Sequence, residues 1–315
     1  MQYKEKSFLS FIVYLRNASA EMEKFLNALQ EEVQKHFEWY EFILVDDFSS
    51  DDTYQKGTEL LNKLDMNGVV IRLSRFHGKE LAMMCGADKS MGDYVFQMES
   101  LAIDYPLTLL MGMFEKAKDG HEVVIACPNQ AQSLFSKFFY LIFNKISYLD
   151  ITVQSERLSL MNRRSLNAIL SVNERIRFRK VLINLVGFRP TILSFNVTNK
   201  NFKNRASFLY RMKLALEMIV FHSNFGLKLP IWMAVGFLFF SFTTSGFAAW
   251  AYWFNAEVVT GWTSLVIFLS LSFSGLFIIL GILSEYIVKI LRETTNLPLY
   301  TVQHEYSSYS VNVKK

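Results

Sequence analysis

Residues 42–53 read Phe42-Ile43-Leu44-Val45-Asp46-Asp47-Phe48-Ser49-Ser50-Asp51-Asp52-Thr53. Four consecutive apolar residues predict a strand covered on both faces. Two acids end it. Ser50-Asp51-Asp52-Thr53 then reads as a helix start, because short polar side chains accept hydrogen bonds from the free N–H groups of a first turn. On either side the alternation continues. Phe8–Tyr14 reads as a strand, and Met22, Phe25, Leu26, Leu29 and Val33 recur at helical spacing after it. Past Thr53 come a helix to about Leu64, a strand Val69–Leu73 and a helix Gly78–Ser90. A strand Tyr94–Met98, a helix Leu107–Lys118 and a strand Val123–Ala126 follow. Strand and helix in turn, with short joins, predict an α/β domain with a mostly parallel, Rossmann-like sheet covered on both faces. Ligands of such sheets sit at the carboxyl ends of the strands. Those ends carry Asn17, Asp46, Asp47, Arg75 and Glu99.

The other end of the chain has a different character. Residues 229–256 and 258–284 carry no charged side chain. Each run exceeds the roughly 20 residues that cross a hydrocarbon core about 30 Å thick. They predict two transmembrane helices joined by a tight turn. Lys228 precedes the first, Lys289 and Arg292 follow the second, and the turn holds Glu257 with no Lys or Arg. The positive-inside rule puts both outer ends, and the α/β domain, in the cytoplasm. Trp232, Trp250, Tyr252, Trp253 and Trp262 fall where an interfacial aromatic belt would. Two further segments, 133–148 and 208–225, are rich in Phe and Leu and carry Lys137, Lys145, Arg211 and Lys213. They read as amphipathic helices in the membrane interface or as ordinary core-facing helices. The expected organisation is an α/β domain at 1–130, an acceptor-side region at 131–228, a hairpin at 229–290 and a tail at 291–315.

Composition narrows the partners. A net charge of +4 among 315 residues, with no long basic run, gives no argument for nucleic acid but suits an anionic membrane surface. Cys85 and Cys127 lie in apolar surroundings and read as buried free thiols. The five histidines are scattered without zinc spacing. The first residues, Met1-Gln-Tyr-Lys-Glu-Lys-Ser7, lack the apolar core of a signal peptide.

Carboxylates at a strand end can accept hydrogen bonds from a base or ribose, or help hold a divalent cation; they can equally be a capping cluster. Leu73-Ser-Arg75-Phe-His-Gly78-Lys79-Glu80 places two cations at a helix start, where phosphate is favoured. Neither Walker spacing nor Gly-x-Gly-x-x-Gly is present. Farther on come Glu174-Arg-Ile-Arg-Phe178, Val186-Gly-Phe188, Gly261-Trp-Thr-Ser-Leu265, Leu280-Gly-Ile-Leu-Ser-Glu-Tyr286 and Pro298-Leu-Tyr300.

In order and spacing these segments resemble the family 2 glycosyltransferases of the GT-A fold. The branch they are most similar to glycosylates polyprenyl phosphates, carries a C-terminal membrane hairpin and includes dolichol-phosphate-mannose-synthase-like enzymes. The resemblance covers nearly the whole chain. It implies transfer of a sugar from a nucleotide sugar to polyprenyl phosphate, undecaprenyl phosphate in a bacterium, for cell-surface glycan assembly. The setting would be the cytoplasmic face of a bacterial inner membrane, with a homo-oligomer as a common family form. It implies a nucleotide-sugar site at Asn17, Asp46, Asp47, Arg75 and Lys79. It implies catalytic roles for Asp47, Glu99, Arg175 and Arg177, with Mg2+ or Mn2+ on Glu99 and the donor diphosphate. Arg163, Lys203 and Arg205 would meet the lipid phosphate, although Arg175 and Arg177 also read as part of a solvated basic face.

The chain departs from the family pattern at four places. The family's Pro-x-Tyr-Asn-Glu strand reads Tyr14-Leu-Arg-Asn17-Ala18, and its Asp-x-Asp reads Glu99-Ser100-Leu101. The arginine of its Phe-Arg-Leu falls on Ser159, and its Arg-x-x-Gly-x-Ser-Lys-Tyr loop on Asn201–Phe208. Two readings stand at this point: a transferase with altered metal use or donor choice, and a catalytically silent relative that binds lipid, nucleotide or a partner.

Overall fold

The computed structural model describes residues 4–129, 156–172, 182–183, 185–197, 261–294 and 298–309, and singly 236, 239, 240 and 243. The chain forms two compact units. One comprises Met1–Lys137, Ile151–Arg205 and Leu297–Lys315; the other comprises Phe138–Asp150 and Ala206–Asn296.

The first unit is an eight-stranded sheet. Its strands are β1 (Glu5–Leu15), β2 (Phe37–Asp46), β3 (Gly68–Leu73), β4 (Tyr94–Met98), β5 (Val123–Pro128), β6 (Leu158–Asn162), β7 (Thr191–Phe195) and β8 (Val302–Ser307). They lie in the order β7-β5-β6-β4-β1-β2-β3-β8. The pairs β1–β2, β1–β4, β2–β3 and β5–β7 are parallel, whereas β6 and β8 run antiparallel to their neighbours. The predicted α/β architecture with a mostly parallel sheet is present. The chain adds β2 and β3 on one side of β1 and β4 on the other, so the direction of winding reverses between β1 and β4.

Period-two alternation in the buried strands sorts their side chains into two cores. On one face Phe11, Val13, Phe42, Leu44, Val70 and Phe96 meet α1 (Ser19–His36), α2 (Thr53–Lys63) and α4 (Leu109–Lys118). Phe11 stacks on Phe96 with ring centroids 4.9 Å apart. On the other face Ile12, Ile43, Val45, Ile71 and Val95 meet α3 (Lys79–Lys89) and α5 (Arg163–Leu170). Each such side chain contributes about 1.5–3 kcal/mol of burial. Gly86 lets α3 approach β1 closely, since a Cβ there would stand 2.4 Å from Cγ2 of Ile12.

The sheet does not stop at the expected boundary near residue 130. β6 inserts between β4 and β5, β7 adds the far edge, and β8 comes from the segment expected as a tail at 291–315. Ser74 N donates to Thr301 O at 2.9 Å, and Ser308 N donates to Gly68 O at 2.9 Å, so both ends of that segment are tied to β3.

The second unit contains α6 (Gly261–Thr294), a helix of 34 residues. Among the described residues no helix is long and apolar enough to cross a membrane. The first expected span lies almost wholly outside the described residues, and so do the two expected interfacial helices. The second span falls on α6, whose side chains are described only in part; among them Leu265, Leu269, Phe273, Leu276, Ile278, Leu280 and Leu283 are exposed.

Candidate active site

The candidate site lies where β1, β2 and β4 end. Asp46 closes β2 on the α2 face, fully buried. Its Oδ1 accepts from Ser49 N at 3.0 Å and from the Ser49 hydroxyl. Its Oδ2 has no hydrogen-bond partner among the described residues and lies 3.8 Å from Nε of Arg72. Asp46 and Arg72 occupy paired positions on β2 and β3, which brings them together. Burial raises the Asp46 carboxyl above its usual range; the Ser49 bonds and the Arg72 charge oppose that without cancelling it.

Asp47 is also buried but points to the opposite face, as the next residue of an extended chain must. Its Oδ1 accepts from His77 N at 2.8 Å, and its Oδ2 from Gly78 N at 3.0 Å and the Tyr14 hydroxyl at 3.1 Å. A left-handed Gly78, with φ of 89°, aims those amides at the carboxylate as the chain enters α3. The sequence assigns Asp47 to catalysis; the structure shows both its oxygens occupied in pinning the β3–α3 loop.

Phe48 follows with φ of 56°, a left-handed conformation unusual for a bulky residue, and is 42% exposed. Arg16, at the end of β1, donates to Asp47 O at 2.5 Å and to Phe48 O at 3.3 Å. Its guanidinium lies 4.1 Å from the ring centroid of exposed Phe76. Asn17 is exposed, but its Oδ1 already accepts from Ser50 N at 2.9 Å, which ties the β1 loop to the β2 loop. Asp51, and not Asp52, caps α2: it accepts from Thr53 N at 3.1 Å and from the Thr53 hydroxyl at 2.5 Å.

Across the β1–β4 junction, Nζ of Lys79 lies 3.2 Å from Oε2 of Glu99 and 5.8 Å from the ring centroid of Tyr14. Arg75 is exposed on the adjoining loop. Beside Glu99 lies a second pair, with Nε of Arg157 at 3.1 Å from Oδ2 of buried Asp104. The pairing of Met98 with Leu158 makes Glu99 and Arg157 the next positions along β4 and β6.

The structure therefore gathers Asn17, Asp46, Asp47, Arg75, Lys79 and Glu99 at one end of the sheet. It corrects Arg163. Because β6 is antiparallel to β4, Asn162 pairs with Tyr94 and Arg163 emerges at the amino end of β4. There its Nε donates to Gly92 O at 2.9 Å, and its other nitrogens donate to Ser90 Oγ at 3.3 Å. It braces the amino end of β4, at the opposite end of the sheet from Asp46, Lys79 and Glu99. Arg175, Arg177, Lys203 and Arg205 lie outside the described residues.

Sequence reasoning missed Arg16, Arg72, Tyr14 and Arg157. Two of them left a signal. Arg72 is in phase with Val70, which faces the same core as Leu44, so strand alternation alone places it beside Asp46. Arg157 lies one residue ahead of β6 and two before Ser159.

The model of the family described as "Glycosyl transferase family 2" matches residues 10–170. The chain is 27% identical over 309 residues to an uncharacterised glycosyltransferase, YkcC, of Bacillus subtilis, covering 94% of each chain. It is 26% identical over 276 residues to an undecaprenyl-phosphate 4-deoxy-4-formamido-L-arabinose transferase of Yersinia pestis, covering 84% of this chain and 83% of that one. Among solved structures it is similar to glucosyl-3-phosphoglycerate synthase of Mycobacterium tuberculosis, in complex with Mn2+, UDP and glucosyl-3-phosphoglycerate. The TM-score is 0.50 at 14% identity, over 68% of this chain and 77% of that one.

Proposed function

The chain belongs to glycosyl transferase family 2, and on that premise we propose that it moves a sugar from a nucleotide sugar to polyprenyl phosphate, undecaprenyl phosphate in a bacterium, at the cytoplasmic face of the inner membrane. One observation carries the choice of acceptor. The family match ends at residue 170, whereas similarity to the undecaprenyl-phosphate transferase extends over 84% of the chain. It therefore takes in sequence beyond the nucleotide-binding domain.

Membrane attachment through 229–284 is supported by the lack of charge there and by the apolar side chains that α6 leaves exposed. At about 1.5 Å per residue, a helix of this length rises farther than a hydrocarbon core about 30 Å thick. The interfacial helices at 133–148 and 208–225, with Lys203 and Arg205 near the acceptor phosphate, belong to the same proposal.

In the reaction a phosphate oxygen of the lipid bonds to C1 of the sugar, while the bond from C1 to the nucleoside diphosphate breaks and its electron pair leaves with the diphosphate. The nucleophile is already an anion, so proton abstraction is a minor task. The protein must hold two anions together and stabilise the charge that develops on the leaving group. Lys79, Arg75 and Arg16 stand at the open end for this. The unpartnered Oδ2 of Asp46 is placed to accept from a base or ribose.

The fold neighbours imply a divalent cation, and the sequence assigns it to Glu99. The described residues at this end do not fit one. Glu99 is already paired with Lys79, Leu101 stands where a second carboxylate would be, and Asp104 is paired with Arg157. No step is therefore routed through a metal.

The test uses the full chain in lipid nanodiscs with undecaprenyl phosphate and a panel of nucleotide sugars, with products read by mass spectrometry. Glycosylated lipid that disappears in Asp46→Ala and Glu99→Ala supports the proposal. Nucleotide or lipid binding without product under every condition would leave the catalytically silent reading.

A further inference from the structure

We propose that this chain grips the diphosphate of its donor with fixed side-chain cations, Lys79 foremost, and works without a divalent metal ion. The inference rests on the transferase reading and adds to it how the donor is held. The sheet reverses its winding between β1 and β4, and in open α/β sheets the ligand crevice lies at the carboxyl ends beside such a reversal. The side chains that meet there are Tyr14 from β1, Glu99 just past β4 and Lys79 from the first turn of α3.

A hard cation needs carboxylate oxygens that are free to bind it. Four acids at this end are already engaged, and the two that keep an unbonded oxygen, Asp46 and Asp104, each stand against a guanidinium. Asp46 takes the Ser49 amide and hydroxyl and faces Arg72. Asp47 takes two amides and a phenol. Glu99 takes Lys79, and Asp104 takes Arg157. A divalent ion bonded to Glu99 would lie against the ammonium 3.2 Å away, like charge beside like charge. Leu101 offers no ligand atom and packs against the core, so its position is not easily surrendered to a swinging side chain.

The same groups suit a phosphate. An ammonium is a compact charge with three N–H donors, and charge-assisted bonds to phosphate oxygens are among the stronger ones. Lys79 is 39% exposed at its side chain and Glu99 19%, so the cation is the accessible member of the pair. When the donor arrives, the ammonium exchanges its carboxylate for a phosphate oxygen and keeps the Tyr14 ring beneath it. Glu99 is then a positioning residue for Lys79. Arg157 adds to the design: the arginine that the family pattern would put at Ser159 stands two residues earlier. It lies one residue ahead of β6, just beyond the Met98–Leu158 pair and so nearer to Glu99 than Ser159 is.

The experiment is calorimetric titration of the detergent-solubilised full chain with UDP, GDP and CDP, in excess EDTA and again in Mn2+. The expected result is one nucleoside diphosphate that binds with the same affinity in both. Lys79→Met should weaken it by about tenfold to a hundredfold while the parent nucleoside binds unchanged. The double variant Lys79→Met with Leu101→Asp should bind the diphosphate in Mn2+ and not in EDTA. Thermal unfolding confirms that each variant is folded. Wild-type binding that vanishes in EDTA and returns with Mn2+ overturns the inference and leaves the transferase reading intact. Absence of binding under both conditions overturns both.

Discussion

The two ends of the sheet use the same kinds of residue for opposite purposes. Toward the amino ends of β3 and β4, Glu41 is fully buried and wholly satisfied. It accepts from the Ser10 hydroxyl at 2.5 Å, from Met91 N at 2.6 Å and from the Tyr309 hydroxyl. Arg163 nearby spends its guanidinium on Gly92 and Ser90. At the carboxyl end, Asp46 keeps an oxygen without a partner, Asp104 keeps another, and Lys79 and Arg75 reach solvent. Buried polar groups left unpaired cost stability, so their concentration at one end needs a reason. A ligand that completes them supplies it. Both ends carry acids and arginines, and the distinguishing mark is whether those groups are already satisfied.

The comparison breaks most sharply at Glu41. Glu41→Ala strands three donors in the interior and should lower unfolding free energy by roughly 3 kcal/mol or more. It also frees the phenol that fastens the C-terminal strand. Nucleotide affinity of the fraction still folded should stay as in the parent. Glu99→Ala is the counterpart at the open end: transfer should be lost, and stability should change by about 1 kcal/mol, since the Lys79–Glu99 pair is only partly buried. Urea unfolding beside product formation reads both. Equal losses of stability would erase the distinction between the ends.

Asp46 offers a subtler contrast, through pH. Its folded carboxyl titrates above the unfolded value because burial disfavours the charge. The stability it contributes is therefore fully present below the unfolded value and is lost as pH rises through the raised folded value. Asp46→Asn keeps an acceptor for Ser49 and removes the titration. The variant should gain on the parent as pH climbs upward from the ordinary carboxylate range, measured as the difference in urea midpoint, while nucleotide binding falls. A difference that stays flat across that range would mean the carboxylate is not penalised.

Much of this arrangement was legible in the sequence. The uninterrupted Phe42–Val45 run and the helical spacing through Met22, Phe25 and Leu29 gave the elements, because burial dictates both patterns. The acids that end β2 marked the open end. What periodicity does not encode is which way a distant strand runs. β6 is short, begins far from β4 in sequence and pairs antiparallel to it, so Arg163 emerges at the closed end. β8 lies in the segment read only as a tail, since a polar strand with one edge exposed carries little apolar signal. The partners of Asp47 are backbone amides, which no residue type announces.

Phe48 tests the smallest effect and the finest point of the comparison. At this position an aromatic residue holds φ of 56°. For a side chain other than glycine that conformation costs about 1 kcal/mol. Core packing does not repay it, since the ring is 42% exposed and its neighbour is the Arg72 guanidinium, 6.0 Å from the centroid. Phe48→Gly removes the strain but adds freedom to the unfolded chain, worth roughly 0.5–1 kcal/mol in the other direction. The two nearly cancel, so the urea midpoint should barely move. Nucleotide affinity should fall severalfold, because the ring and the arginine form one wall beside the open oxygen of Asp46. A clear loss of stability with unchanged affinity would instead make Phe48 part of the scaffold and draw the edge of the open end inside it.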